Sequence, residues 1–302
     1  MTKNEKTVLR EYQVRKTRKQ KNAFTDYVSD YAKTLGYEIK VEKGSFGAKN
    51  ILIGNLDTAK VVFTAHYDTC ALMPLPNFIT PKNIIIYLLY QLLLTAVIFA
   101  LSIVAGIAVA LINPALSATA TLICIYALLG LMMFGPANKH TANDNTSGVL
   151  TVLESMAEIG ESERGKVAFI LFDFEEVGLL GSAGFAAKHK KQMKNKLLVN
   201  FDCVSDGKHL LFVLNKKSKT YKPLIENACE KNDDFTIDIA TKGVFYPSDQ
   251  ANFPLGVAVA SLKKSKTGLL YMDRIHTKKD TVYQSENIAY LKSFCENLVR
   301  YI

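Results

Sequence analysis

Five side chains of the types that bind divalent metal ions lie in local contexts suited to that role. They are two imidazoles and three carboxylates: His66, Asp144, Glu176, Asp202 and His276. Imidazole nitrogen and carboxylate oxygen are common zinc ligands. Two zinc ions about 3.5–4 Å apart need a carboxylate that spans them, and each ion needs an open position for water and a substrate carbonyl. This set of residues is therefore typical of a two-metal hydrolase.

Most of these residues follow elements that can bring them together. Three of them follow short apolar segments that resemble buried strands: His66 follows 61–65, Glu176 follows 166–174 and Asp202 follows 197–201. Functional residues gather at the carboxyl ends of parallel strands, so we expect these three at one edge of a sheet. Asp144 directly precedes a predicted helix, where it could also serve as an N-terminal cap. His276 precedes the polar segment 277–280.

A long apolar interruption separates His66 from Asp144. Residues 84–112 and 115–135 contain no charged side chain. Each run exceeds the roughly 20 helical residues that cross a hydrocarbon core. The alternative is a pair of buried core helices, but such helices usually carry a polar face. We predict a transmembrane helical hairpin over 82–138, with helices at about 84–112 and 115–135, inserted into one discontinuous domain formed by 1–81 and 139–302.

The charges around this hairpin predict its orientation. His66 and Asp144 must reach the same site, so the number of crossings is even. Lys82 and Lys139 flank the hairpin, and the first 22 residues carry eight Lys or Arg against two Glu. The positive-inside tendency then predicts an integral protein of the cell membrane whose catalytic domain faces the cytoplasm. The polar N-terminus does not resemble a signal peptide, and five scattered cysteines are typical of a reducing compartment.

The net charge of +9 raises the question of acidic partners. Much of the excess lies in one run: Arg15, Lys16, Arg18, Lys19 and Lys21. We interpret this run as the solvated face of a first helix, or as a contact to anionic lipid headgroups, where each cation adds about 1 kcal/mol. No recognisable nucleic-acid-binding motif accompanies it. The lipid bilayer is therefore an expected partner, and nucleic acid is not.

The rest of the chain alternates between strand-like and helix-like segments. Strands are predicted at 37–41, 50–53, 60–65, 166–174, 196–201, 210–214 and 257–262, and helices at 10–35, 146–159, 178–194, 219–231 and 286–301. This alternation predicts an α/β sandwich around a mostly parallel, twisted sheet flanked by helices.

Five ordered motifs carry a resemblance to a known family. They are Ala65-His66-Tyr67-Asp68-Thr69, Ala142-Asn143-Asp144-Asn145-Thr146-Ser147-Gly148, the segment from Phe174 to Ser182, Asn200-Phe201-Asp202 and Ile275-His276-Thr277. Together they resemble the di-zinc exopeptidases, which include bacterial leucyl aminopeptidases, glutamate carboxypeptidase and the transferrin-receptor ectodomain. The spacing between the first two motifs also fits this family. His66 and Asp144 are 78 positions apart, but only 21 remain when residues 82–138 are left out, which is an ordinary interval in the family.

The resemblance implies a role for each residue. His66 and Asp202 would bind one zinc ion, Glu176 and His276 the other, and Asp144 would bridge the two. Glu175 would be the general base, and Asp68 the partner that orients His66 through its ring N–H. Apart from the resemblance, Tyr246 is a candidate hydrogen-bond donor to the oxyanion, and simple packing of its ring is the alternative.

The expected function is that of a membrane-anchored zinc aminopeptidase. With two Zn²⁺ per chain, it would hydrolyse the N-terminal bond of short peptides through a metal-bridging hydroxide. One alternative is a glutaminyl-cyclase-like transferase with a single zinc, and another is a non-catalytic membrane scaffold. Two positions depart from the family pattern. Gln250 stands where relatives often have histidine after Ser-Asp, and Cys203 stands where an apolar residue is usual. We expect Cys203 to be a small buried side chain, although its thiol could compete for metal.

Overall fold

The computed structural model describes residues 1–302 apart from the side chain of Ser45. Over these residues nine strands form one sheet: β1 Ile39–Lys43, β2 Lys49–Ile53, β3 Val61–His66, β4 Val167–Phe172, β5 Leu197–Phe201, β6 His209–Leu214, β7 Thr236–Ala240, β8 Gly256–Lys264 and β9 Leu270–Tyr271. Their order across the sheet is β1-β2-β4-β3-β5-β8-β6-β7, and β9 pairs with β8.

Most of the helices cover the two faces of this sheet. The helices are α1 Lys3–Glu11, α2 Arg18–Thr34, α3 Ile84–Ala110, α4 Ser117–Phe134, α5 Gly148–Glu158, α6 Leu180–Lys188, α7 Lys190–Met193, α8 Lys222–Ala228 and α9 Ser285–Tyr301. The predicted α/β sandwich is therefore confirmed. Parallel pairing is concentrated at the centre, where β4, β3, β5 and β8 run side by side. The sheet as a whole is mixed, because β1, β2, β6 and β9 add antiparallel pairs.

The central strands are buried on both faces, which explains their continuous apolar sequences. Successive side chains of a strand point to opposite faces. Accordingly, Phe63 packs with Phe169 and Phe201 in the larger core, beneath α5 and α9. Val62 and Ile170 belong to a second core on the other face, which α6 covers. The apolar faces of the helices thus fix the sheet that carries the site.

The N-terminal region differs from its prediction. The single helix predicted over 10–35 is wrong, because α1 ends at Glu11 and α2 begins at Arg18. Thr17 begins α2 with a reciprocal cap, in which its hydroxyl accepts from Gln20 N and the Gln20 side chain accepts from Thr17 N. The basic run is not a uniform solvated face, since Arg15 is fully buried and Lys21 is only 7% exposed.

The two apolar runs form helices α3 and α4, which pack against each other. Both are long and apolar enough to cross a membrane. Ser117 Oγ donates to the carbonyl of Gly106 at 3.0 Å, and a Cβ at Gly106 would lie 2.0 Å from Thr121 Oγ1. Close packing of this hairpin therefore requires a glycine at that position.

The outer faces of the hairpin are exposed. Leu92, Val104 and Ile123 are each about two-thirds exposed, at 65%, 64% and 64%. Core helices of soluble domains bury such side chains, and monomeric soluble proteins rarely expose apolar patches of this extent. The hairpin therefore does not have the environment of a core helix.

Candidate metal centre

Three neighbouring strands bring the predicted ligands to one edge of the sheet. β3 lies between β4 and β5 and is parallel to both, with His66 opposite Phe172 and Thr64 opposite Asn200. His66 is the last residue of β3, Asp202 directly follows β5, and Glu176 lies four residues beyond the end of β4. Shared strand direction therefore gathers these three residues, as the strand-end pattern predicts.

The five predicted metal ligands lie together as two groups that share Asp144. His66 Nε2 is 3.3 Å from Asp144 Oδ1 and 3.5 Å from Asp202 Oδ1. His276 Nε2 is 3.0 Å from Asp144 Oδ2 and 3.3 Å from Glu176 Oε2. Each oxygen of the Asp144 carboxylate thus faces a different imidazole. This arrangement matches a carboxylate that spans two cations.

The electrostatics of the two groups call for added positive charge. Burial, helped by the carboxylates of Asp144 and Asp68, outweighs the attraction of His276 and raises the pKa of Glu176 to about 8. Burial alone would lower the pKa of His276, but Glu176 and Asp144 raise it to about 9. Buried Glu176 Oε1 has no hydrogen-bond partner among the described residues. Protons or divalent cations must compensate these acids, so the donor set fits zinc ions.

Asp68 supports both sides of the site. Its Oδ1 and Oδ2 accept hydrogen bonds from the backbone N–H groups of Glu175 and Glu176 at 3.1 and 3.3 Å. His66 Nδ1 lies 3.1 Å from the Asp68 carbonyl oxygen and 3.7 Å from its Oδ1. The backbone carbonyl is thus the nearer partner for the His66 ring N–H, while the carboxylate holds the turn that carries both glutamates.

Asp280 is a supporting residue that the sequence analysis did not single out. Its buried carboxylate accepts from the backbone N–H of Asn143 at 2.8 Å and of Asp144 at 3.0 Å. Asn145 completes the loop by donating to the carbonyl of Phe201 at 2.9 Å. The Asp144–Asn145 peptide bond is cis. The only sequence signal for Asp280 was its place in the polar segment after His276.

Arg15 is the second residue that sequence reasoning missed. Its guanidinium donates to the carbonyl of Tyr67 and to Thr146 Oγ1, and so joins the loops that follow His66 and Asp144. Burial lowers its pKa to about 10, against the attraction of Asp68 and Asp144. A buried arginine in a basic run carries no local signature, because its burial arises only when the chain folds.

A cavity of about 170 Å³ opens onto the metal centre. Its walls contain four of the predicted metal ligands, His66, Asp144, Asp202 and His276, together with the predicted general base Glu175. Ligand atoms of Glu175 lie within 4.8 Å of those of His66 and Glu176. Burial raises the pKa of Glu175 well above its usual range, opposed by His66. Glu175 therefore lies where a reacting water and a substrate carbonyl can enter.

Tyr246 also lines this cavity, and its hydroxyl donates to the Asp202 carbonyl at 3.1 Å. Gln250 donates to the Tyr246 carbonyl at 2.8 Å, so the residue that departs from the family pattern helps hold this loop. The Cys203 thiol lies 3.2 Å from Asp202 Oδ1, and burial raises its pKa well above the usual range. Cys70 lies within 4.8 Å of Glu176 and His276. The oxyanion role of Tyr246 stays a prediction.

Solved structures show where this fold occurs. The LapA aminopeptidase of Legionella pneumophila aligns with a TM-score of 0.59 at 12% identity, over 98% of this chain and 69% of that chain. A glutaminyl cyclase of Porphyromonas gingivalis aligns with a TM-score of 0.56 at 17% identity, over 98% of this chain and 94% of that chain. A Zn-dependent exopeptidase from Parabacteroides distasonis aligns with a TM-score of 0.54 at 18% identity, over 98% of this chain and 93% of that chain. Identities this low show a shared fold alone.

Comparison at the sequence level identifies the family. No curated protein sequence matches the chain. The profile of peptidase family M28 matches residues 127–301, which is more than half of the chain. That match includes all of the predicted metal ligands except His66. The protein belongs to peptidase family M28.

Proposed function

We propose that the protein is a membrane-anchored zinc aminopeptidase that hydrolyses the N-terminal peptide bond of short peptides. Membership of family M28 and the similarity to a Zn-dependent exopeptidase support a zinc-dependent peptidase or a glutaminyl-cyclase-like enzyme. One observation favours the peptidase with two ions. The two oxygens of Asp144 each lie within hydrogen-bonding range of a different histidine, at 3.3 and 3.0 Å.

In this proposal the five ligands divide between two zinc ions. His66 and Asp202 would hold one ion, Glu176 and His276 would hold the other, and Asp144 would be shared between them. When bound, the ions would polarise the scissile carbonyl and lower the pKa of the attacking water. Asp68 and Asp280 keep these ligands in position through backbone hydrogen bonds to their loops.

Glu175 carries the proton in the proposed reaction. Its carboxylate lines the cavity that the substrate must enter, beside the ligands His66 and Asp144. It takes one proton from the attacking water as the water oxygen bonds to the carbonyl carbon, and it delivers that proton to the leaving nitrogen as the C–N bond breaks. The products are a free amino acid and a peptide shortened by one residue.

The hairpin is the proposed anchor. The exposed apolar faces of α3 and α4 would meet lipid. The positive charges of Lys82, Lys139 and the N-terminal region support an orientation in which the catalytic domain would face the cytoplasm. Residues 1–81 and 139–302 act as one discontinuous domain in this proposal, because β3 precedes the hairpin yet pairs with β4 and β5, which follow it. Retention in membranes washed with carbonate is expected, and release into the soluble fraction would contradict anchoring.

Hydrolysis assays on the full chain test the reaction. Wild-type protein supplied with zinc is expected to release amino acids from amino-acid amides and short peptides. Glu175→Gln removes the proton acceptor and is expected to lower kcat by about 10²–10⁴-fold, with zinc content unchanged. Glu161→Gln is the matched control, since its exposed carboxylate lies in the connection before β4.

The same preparation separates the alternative activities. A glutaminyl-cyclase-like enzyme would release ammonia from peptides with N-terminal glutamine and leave the peptide bonds intact. A non-catalytic scaffold would leave every substrate unchanged. Wild type as inactive as Glu175→Gln across a broad panel of amides and peptides would refute the aminopeptidase.

A further inference from the structure

The catalytic cavity has walls from two different parts of the chain. One side carries the metal ligands and Glu175. Another side is built by Asn77 and Ile79, in the segment that leads to the hairpin, and by Tyr87, in the first turn of α3. A side chain of the proposed membrane anchor therefore borders the space in which the substrate binds.

Hydrogen bonds fix the base of α3 to the catalytic domain. Phe245 N donates to the carbonyl of Pro81 at 2.9 Å, and Ile79 and Met272 exchange backbone hydrogen bonds of 3.0 and 2.9 Å. Asn83 caps the helix by accepting from Ile86 N at 3.1 Å. These contacts hold the first turn of α3 at a defined distance from the site. Tyr87 is thus placed by the catalytic domain as well as by its helix.

An aromatic contact fixes the Tyr87 ring itself. Its centroid lies 5.5 Å from that of Phe245, with the two planes inclined by 53°. Phe245 directly precedes Tyr246, which lines the same cavity. A tilted pair at this separation is an attractive geometry for two aromatic rings. The ring therefore forms a fixed wall of the cavity.

We propose that Tyr87 is a specificity-determining residue that limits the cavity to peptides with a short apolar N-terminal side chain. This inference rests on the proposed aminopeptidase function. The Tyr87 ring occupies space at the cavity wall that a longer N-terminal side chain would need. Away from the metal ligands, Glu175 and Asn77, the walls include the apolar residues Ile79, Pro247 and Ile275.

A second tyrosine on the same helix provides a matched control. Tyr90 lies one turn further along α3 and also packs on a phenylalanine, Phe78, at a centroid distance of 5.7 Å. It borders a different cleft, which it shares with Met73, Pro76 and Arg274 among others. Removing Tyr90 changes the same helix without enlarging the catalytic cavity. A general effect of weakening the hairpin base would appear in both variants.

The test compares substrate preference in full-length protein supplied with zinc in detergent micelles. The readout is the ratio of kcat/KM for phenylalanine amide to that for alanine amide. Tyr87→Ala is expected to raise this ratio at least about tenfold, since fitting or excluding apolar groups in a pocket changes rates by roughly 10–200-fold. Tyr87→Phe keeps the ring and is expected to keep the wild-type ratio. Tyr90→Ala is expected to keep it as well.

The possible outcomes separate this inference from the proposed function. An active wild type whose ratio is the same in Tyr87→Ala overturns the specificity role and leaves the aminopeptidase intact. A wild type that hydrolyses no amide overturns both. If Tyr87→Ala does not accumulate as folded protein, Tyr87→Leu decides, because it keeps an apolar contact to Phe245 while shortening the side chain. The ratio of kcat/KM for phenylalanine amide to that for alanine amide is expected to be higher in Tyr87→Leu than in wild type, and an unchanged ratio overturns the proposal.

Discussion

Replacing Asp280 with asparagine is expected to weaken zinc binding without removing a proposed metal ligand. The Asp280 carboxylate accepts from the backbone N–H groups of Asn143 and Asp144 at 2.8 and 3.0 Å. An asparagine side chain has one acceptor oxygen, so one of the two buried N–H groups must face an NH₂ group. A hydrogen bond to a charged group contributes about 1.5–3 kcal/mol. Loss of one such bond would release the loop that presents Asp144.

The expected size of the effect follows from that energy. Since about 1.4 kcal/mol corresponds to a factor of ten, the loss corresponds to roughly 10–100-fold weaker zinc binding. Substitution of groups that orient metal ligands typically has an effect of this size. The assay is competition for zinc against a chelator of known affinity, with elemental analysis of the retained metal. Asp233→Asn, at an exposed position, is the control. Zinc affinity equal to that of wild type in Asp280→Asn would refute the supporting role of this carboxylate.

Three further substitutions test other parts of the molecule. Gly106→Leu is expected to separate α3 from α4 and lower the Tm in detergent, because its Cβ would lie 2.0 Å from Thr121 Oγ1. The control Gly130→Leu is expected to leave the Tm unchanged, since an added Cβ there meets no described atom within 4 Å. Equal Tm values for the two variants would contradict the packing. Arg15→Met is expected to lower the free energy of unfolding, measured in urea, by at least about 1.5 kcal/mol, since it removes charged hydrogen bonds from a buried position. Lys19→Met, at an exposed position, is the control, and an equal loss of stability in the two variants would contradict this. Burial raises the pKa of Glu42, but hydrogen bonds from Lys188, Lys40 and His189 outweigh it and lower the pKa to about 2. Because the folded pKa lies below the unfolded value of about 4.3, this contribution to stability is present above that pH and is lost as the pH falls toward 2. Urea unfolding between pH 5 and 2 is therefore expected to show a smaller loss of stability for Glu42→Gln than for wild type, and parallel curves would contradict this.

The sequence pattern predicted the α/β fold and the clustering of the site residues for a physical reason. Side chains that follow parallel strands meet at one sheet edge, so His66 and Asp202 could be assigned to a common site from local pattern alone. The apolar runs of the hairpin are equally local signals. Both predictions depend on a few neighbouring residues and not on how distant segments pack.

Features that depend on distant packing could not be predicted in this way. The break between α1 and α2 occurs where Arg15 enters the interior, and its partners Tyr67 and Thr146 lie 52 and 131 positions away. Asp280 supports a loop 136 positions earlier in the chain. Strand β7 was missed because Thr236–Ala240 is only partly apolar, and its pairing with β6 is decided by the fold. From the sequence alone, Tyr87 resembles any other residue of an apolar helix. Its position at the cavity depends on distant residues such as Tyr246 and Ile275, which line the same cavity.

The number of zinc ions per chain tests the central claim most directly. Elemental analysis of purified full-length protein, after equilibration with zinc and removal of loosely bound metal, is expected to give two ions in wild type. Asp144→Asn is expected to reduce the content of both sites, because each oxygen of this carboxylate faces a different histidine. One zinc ion per wild-type chain, or two ions retained in Asp144→Asn, would contradict a metal pair held by a shared carboxylate.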